Sequence, residues 1–285
     1  MNRALWFKAW REARWLLLAS CVLLFCFFWL QVWVIRQITP EQLLRMLEEL
    51  PQFVKKLMPV PIEVLASERG RLAFAYDHPL VTLTITVWAI ARGSDAVSGE
   101  LGRGTLEMVL AQPVRRTGVL FAHAAATVLG VLAICASGWL GTGVGLRVEG
   151  FGELTPLDFL PAAANLFALG IFLAGITTLV SACDSYRWRT IAAVGAFYVL
   201  AVVIKVVARA TVRWDWLAYF SFFSAFEPQV LVSQPDGAWA WRFVNVQGQG
   251  AFGGLAYMSV LAGCGLAAYL AAAAVFARRD LPAPL

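Results

Sequence analysis

Lysine is scarce in this 285-residue sequence: Lys8, Lys55, Lys56 and Lys205 are its four, and none follows a glycine. A phosphate-binding loop of the form Gly-x-x-x-x-Gly-Lys-Ser/Thr needs that neighbour, so the chain is not expected to hydrolyse ATP itself. Histidine is scarcer still. His78 and His123 stand alone, and Cys21, Cys26, Cys135, Cys183 and Cys264 include no Cys-x-x-Cys pair, so the clustered donors of a transition-metal site are missing. All five cysteines lie in or at the ends of apolar stretches and are read as small packing residues. Charged residues make up 14% of the chain, against about 25% in a soluble domain. With 60% hydrophobic residues and a mean hydropathy of +0.70, the composition is that of an integral membrane protein. The net charge of +5 does not point to nucleic acid, because the basic residues flank apolar runs instead of forming one stripe.

Six stretches suit a hydrocarbon core of roughly 30 Å: Trp15–Ile35, Pro79–Val97, Gly118–Leu146, Phe159–Cys183, Thr190–Ala208 and Gly253–Phe276. The expected fold is all-α and polytopic, one transmembrane domain over residues 1–285. Residues 1–14 set Arg3, Lys8, Arg11 and Arg14 among Leu5, Trp6, Phe7 and Trp10, the pattern of a basic amphipathic helix on a membrane surface. The apolar run after it continues to Ile35 without the early cleavage site of a signal peptide, so it is expected to be retained as a span. Residues 36–78 open on a capping box, Thr39-Pro40-Glu41-Gln42. Leu43, Leu47, Leu50, Val54 and Leu57 then predict a pair of short amphipathic helices broken at Pro51 and capping the outer end. The second span is the weakest, since 13 uncharged residues separate His78 from Arg92, and it is completed by Arg92 snorkelling to the headgroups. Asp77 and His78 are read as its helix-start cap. Residues 209–249 form an outer segment, with an interfacial or re-entrant piece at Trp216–Phe226. Glycine and alanine in the sixth span permit close helix packing. Six spans place both termini on one side, and the density of lysine and arginine favours the cytoplasm, although Lys205, Arg209 and Arg213 pull against it.

The polar stretch Arg92–Arg116 separates spans two and three and holds seven charges in 25 residues. Helical periodicity puts Leu101, Thr105, Met108 and Val109 on one face and Glu100, Arg103 and Glu107 on another. Ser98 is the expected N-cap and Pro113 the end. Taken alone, these residues also suit a solvated loop helix. In order, however, Gly99-Glu100-Leu101-Gly102-Arg103-Gly104-Thr105-Leu106-Glu107 and Leu110-Ala111-Gln112-Pro113-Val114-Arg115-Arg116 resemble the Gly-Glu-x-x-Arg-Gly-Thr-Leu-Glu and Leu-x-x-Pro-Val-x-Arg segments of permease subunits from type-2 ATP-binding-cassette (ABC) exporters. Leu101 and Gly102 stand where charged residues are common. The ending Ala277-Arg278-Arg279-Asp280-Leu281 and the layout of the whole chain are similar too.

The resemblance implies that residues 98–113 are a coupling helix gripped by a separate ATPase, with residues 1–14 as an elbow helix lying on the cytoplasmic surface. It assigns the coupling contact to Glu100, Leu101, Arg103, Gly104, Thr105, Glu107, Met108, Pro113, Arg115 and Arg116. It further implies two ABC ATPase subunits that bind ATP and Mg while this chain carries no cofactor, a second permease chain, identical or homologous, and a place in the bacterial cytoplasmic (inner) membrane. Spans two and five would line the path, which makes Thr84, Trp88, Tyr198 and Lys205 candidates, although ordinary packing or headgroup snorkelling fits them equally. The apolar character favours an amphiphilic, lipid-like, drug or peptide substrate over a small ion. Two further classes stay open: a non-transporting membrane partner of an ATPase, and a membrane-embedded enzyme. The enzyme's candidate groups, Asp77, His78, His123 and Glu227, form no nucleophile–base set, and a lone helical histidine such as His123 is read as an interhelical hydrogen bonder.

Overall fold

A computed structural model describes residues 3–39, 67–112, 115–210, 212–244 and 250–279, with isolated positions between 42 and 51. The chain runs α1 (Arg3–Gln37), α2 (Glu68–Tyr76), α3 (Pro79–Ser94), α4 (Thr105–Leu110), α5 (Arg116–Glu149), α6 (Leu160–Cys183), α7 (Arg187–Ala210), α8 (Pro228–Ser233) and α9 (Gly254–Arg278). A two-stranded antiparallel hairpin, β1 (Arg242–Val244) and β2 (Gly250–Phe252), precedes α9. Among the described residues, six helical runs, those containing α1, α3, α5, α6, α7 and α9, are long and apolar enough to cross a membrane. The fold is therefore the expected all-α polytopic one; the last four spans end within a few residues of the bounds read from hydropathy, whereas the first run begins at Trp6 instead of Trp15 and the second extends from Glu68 to Gly102.

Two of the spans form the centre. The apolar windows of the α3 and α6 runs are each 72% buried, against 28% for α1 and α9 and 22% for α7. Ile85 of α3 lies against Gly170 of α6 and Gly93 of α3 against Thr177 of α6, within a core that also buries Leu166 and Leu169. α1 lies along α5, and α6 along α9. The second of these contacts is very close, because a Cβ on Gly175 would lie 2.2 Å from the Gly265 carbonyl oxygen and one on Gly265 would lie 2.6 Å from that of Ile171. Small residues at this crossing let two backbones meet.

We call the end carrying residues 3–14, 95–112, 184–186 and 279 proximal, and the opposite end distal. At the distal end several caps form as the sequence predicts. Thr39 N donates to Gln42 Oε1 at 3.2 Å, and Gln42 N to Thr39 Oγ1 at 3.3 Å. Leu80 N donates to His78 Nδ1 at 3.2 Å, with Pro79 opening α3. The helix pair expected around Pro51 lies largely outside the described residues. The piece at Trp216–Phe226 is present as two 3₁₀ turns, Val212–Phe220 and Phe222–Ala225, with Phe223 and Phe226 buried.

Other expectations are corrected. Residues 3–14 are not a separate elbow: α1 is one unbroken helix, because residues 3–37 contain neither glycine nor proline to bend it. Its 35 residues span about 52 Å at 1.5 Å per residue, so its basic first turns extend beyond the hydrocarbon core while continuing the same axis. The hairpin was not foreseen, since three-residue strands are too short to show alternation. Cys135 is buried as expected of a packing residue, but Cys26, Cys183 and Cys264 are exposed on the bundle surface.

Candidate functional site

The polar stretch after α3 does not leave the bundle where the sequence suggests. α3 continues through a five-residue π turn, Asp95–Gly99, into a short helical turn, Glu100–Gly102. Residues 95–100 are all buried. A π turn shifts the hydrogen-bond register and leaves amides in need of other partners, and α6 supplies one. Ser181 Oγ accepts from Ser98 N at 2.9 Å and from Val97 N at 3.3 Å, and lies 3.1 Å from the Ser94 carbonyl, to which it donates. Ser98 is therefore the centre of a buried hydroxyl cluster with Ser181 and Thr190, not the predicted N-cap. The sequence signal for this was the run of small residues from Gly93 to Gly99, which allows close burial where bulky side chains would not fit. Ser181→Ala strips these groups of their partner and is expected to destabilise the protein by about 1–3 kcal/mol, read as a lowered melting temperature in detergent.

Two carboxylates anchor the stretch. Asp95 Oδ1 accepts from Arg103 Nη1 at 2.6 Å and lies 3.4 Å from Arg187 Nη1, while its Oδ2 lies 3.4 Å from Arg92 Nη1. Arg92 is 5% exposed and its Nη2 donates to the Ala9 carbonyl of α1 at 3.2 Å. The expected snorkelling of Arg92 is thus corrected: it turns inward because Asp95, one helical turn on, supplies the counter-charge. Glu100, 1% exposed, accepts from Lys8 Nζ of α1 at 2.8 Å and 2.7 Å, from Arg103 Nη2 at 3.2 Å, and from the Thr105 hydroxyl. His123 Nε2 stands 3.9 Å from the same carboxylate, and its buried Nδ1 has no hydrogen-bond partner among the described residues. Burying a lone charge costs several kcal/mol; here each anion is met by two or more cations drawn from different helices. Glu12, Asp95 and Glu100 offer oxygens within 4.8 Å of one another, but a metal there would have to displace cations already bound to two of them.

Gly104 then takes a left-handed conformation, φ +68°, which non-glycine residues adopt only with strain. It turns the chain into α4, so the single amphipathic helix expected over residues 98–113 is instead two pieces with different faces. Outward lie Gly102, Arg103, Gly104, Met108, Ala111, Gln112 and Arg115, with Met108 65% exposed. Leu101 and Thr105 are half-buried. Glu107 lies within α4, and Pro113 falls outside the described residues. Arg116 points back to the bundle, donating from Nη1 to the Arg279 carbonyl at 2.6 Å. Arg279 in turn donates to the carbonyls of Ala182 and Asp184, both at 2.9 Å, tying the ends of α6 and α9 to the start of α5.

The four path candidates divide. Trp88 is fully buried, its Nε1 donating to the Thr127 carbonyl of α5 at 3.0 Å, and Thr84 spends its hydroxyl on Leu80 of its own helix. Tyr198 and Lys205 instead share a distal cleft of about 220 Å³ between α3 and α7, with Asp77, Thr82 and Arg209. Tyr198 donates to Thr82 Oγ1 at 3.2 Å. Lys205 Nζ lies 3.5 Å from Asp77 Oδ1, 3.9 Å from Glu227 Oε1 and 3.3 Å from the Phe226 carbonyl, so it is held inside instead of snorkelling. Glu227 also pairs with Arg209. Burial pushes its carboxyl above the ordinary range against the pull of Lys205 and Arg209.

A protein-family model described as "ABC-2 family transporter protein" matches residues 7–281. No curated protein matches the chain.

Proposed function

Because the chain belongs to the ABC-2 transporter family, as a membrane-spanning permease subunit that works with an ABC ATPase partner, we propose that it is half of an export channel in the bacterial cytoplasmic (inner) membrane. On this reading the proximal end faces the cytoplasm, two ATPase subunits bind ATP and Mg there, and a second permease chain, identical or homologous, completes the path. The observation that carries it is the two-sidedness of residues 95–112. Asp95 and Glu100 fasten the segment to α1 and α7, while Met108, Gln112 and Arg115 face outward. Such a segment can be gripped from outside and transmit the displacement inward.

ATP binding closes the ATPase pair and carries the segment with it. Helical structure is continuous from Pro79 to Gly102, so movement at the tip tilts α3. The Lys8–Glu100 and Arg187–Asp95 pairs draw α1 and α7 along. α3 and α7 hold the distal cleft, and their relative tilt opens or closes it. Charged Arg115, with the exposed part of Arg103, contributes orientation and Met108 contact area.

Met108→Glu tests the docking face. An interface anchor is worth about 2 kcal/mol or more, so binding of the cognate ATPase is expected to weaken about 30-fold, measured by co-purification and titration in nanodiscs. The melting temperature should stay unchanged, because the side chain is solvent-facing. Wild-type affinity in Met108→Glu would move the docking site elsewhere. Hydrolysis stimulated by the permease without movement of any amphiphile, drug or peptide would favour a regulatory role over export.

A further inference from the structure

The distal end carries a second cavity that the coupling mechanism does not use. It is a groove of about 870 Å³ walled by α6, α7, α9 and the two 3₁₀ turns, large for a small-molecule site. Its floor is aromatic: the rings of Phe172, Phe197 and Phe222 lie 4.9–6.4 Å apart. Among the described residues no charged side chain lines it. The serine hydroxyls that do are spent on the backbone, Ser221 on the Ala201 carbonyl at 2.9 Å and Ser224 on that of Ala218. Apart from the polar ring-edge groups of Trp216, Tyr219 and Tyr257, the described lining is apolar and matches hydrocarbon.

The depth and the mouth of the groove narrow the choice. Cys264, exposed on its inner wall, lies ten residues into α9. That is about 15 Å along the helix at 1.5 Å per residue, half of a hydrocarbon core of roughly 30 Å. At the other extreme Phe252, which also lines the groove, pairs across the hairpin with Arg242, whose guanidinium lies 5.5 Å from the ring centroid. Arg242 is exposed and takes part in none of the ion pairs among the described residues. An apolar slot reaching mid-bilayer with an exposed cation at its mouth is complementary to an amphiphile of the opposite sign.

We propose that this groove binds one membrane phospholipid with an anionic headgroup, an acyl chain lying between α6, α7 and α9 and the phosphate beside Arg242. The inference is independent of ATP coupling, and its test is binding. The full chain is placed in nanodiscs with trace phosphatidylglycerol bearing a diazirine near the end of one acyl chain, or with its phosphatidylcholine counterpart, and photo-adducts are mapped by peptide mass spectrometry. Adducts are expected to concentrate on Phe172, Phe197 and the stretch of α9 from Ala256 to Cys264. Ala256→Trp, which fills the groove, should remove them. Leu270→Trp, at a position of the same helix 74% exposed, should not. Arg242→Gln, at an exposed hairpin position, should lower the phosphatidylglycerol adduct about fivefold, the effect of one basic side chain beside anionic lipid, and leave the phosphatidylcholine adduct unchanged. Labelling spread evenly over all lipid-facing helices, or insensitive to Ala256→Trp, would mean bulk lipid contact and overturn the site. Equal labelling by both probes, indifferent to Arg242→Gln, would overturn the headgroup assignment, and that variant decides the matter if Ala256→Trp does not fold.

Discussion

Glu100→Ala is expected to abolish permease-stimulated ATP hydrolysis while leaving ATPase binding in place. The side chain is buried and bonded inward to Lys8, Arg103 and Thr105, so its removal does not touch the outward face around Met108. It cuts the link between the segment and α1 instead. Breaking a buried pair by deleting one partner costs about 3–5 kcal/mol. The lower end applies here, because the Lys8 and Arg103 side chains are 33% and 41% exposed and recover part of their hydration. The measurements are hydrolysis in reconstituted membranes and co-purification of the ATPase, with Lys8→Ala added to close a double-mutant cycle. If the pair is the link, Lys8→Ala should have little further effect once Glu100 is gone. Arg103→Ala should be milder, since Asp95 keeps Arg92 and Arg187. Wild-type coupling in Glu100→Ala would remove the charge cluster from the mechanism.

Gly175→Leu should have the largest effect on folding. A side chain there meets the Gly265 carbonyl and Cα, and backbone cannot swing aside as a flexible side chain can. Inserting methylenes into a packed site costs about 1–3 kcal/mol where neighbours can shift, and here α9 itself must move off α6. Loss of the monodisperse species on gel filtration in detergent, or a collapsed melting temperature, is the expected reading. Gly195→Leu, where a Cβ meets nothing within 4 Å, is the control that should leave both unchanged. A stable, monodisperse Gly175→Leu would mean that the two helices are not in backbone contact.

The span layout was legible because a membrane demands about 20 consecutive apolar residues per helix, a constraint the sequence displays directly. The caps at Thr39 and His78 were legible because capping is local. The charged stretch is less legible for the opposite reason: Arg92, Asp95 and Glu100 have the composition of a solvated loop, and their burial depends on Lys8 and Arg187, far away in the chain. Gly104 as a turning point could be anticipated, whereas the π turn could not, since it rests on Ser181 from another helix. For the path, Tyr198 and Lys205 share a cleft while Trp88 and Thr84 do not. Periodicity places a residue on a face without saying which neighbour covers that face.

The charge cluster also bears on how the chain is made. Lys8 and Arg92 are already synthesised when Asp95 and Glu100 follow, and Arg103 comes soon after. Arg187, whose Nε donates to Ser94 Oγ across 93 residues of sequence, arrives only after roughly 5–20 s of translation at 5–20 residues per second. The second span, the least hydrophobic of the six by mean hydropathy, therefore has Arg92 and Arg103 to offset Asp95 well before Arg187 completes the cluster. The cluster is thus assembled in stages along the chain, from the first two spans and finally from the fifth, whose first residue is Arg187.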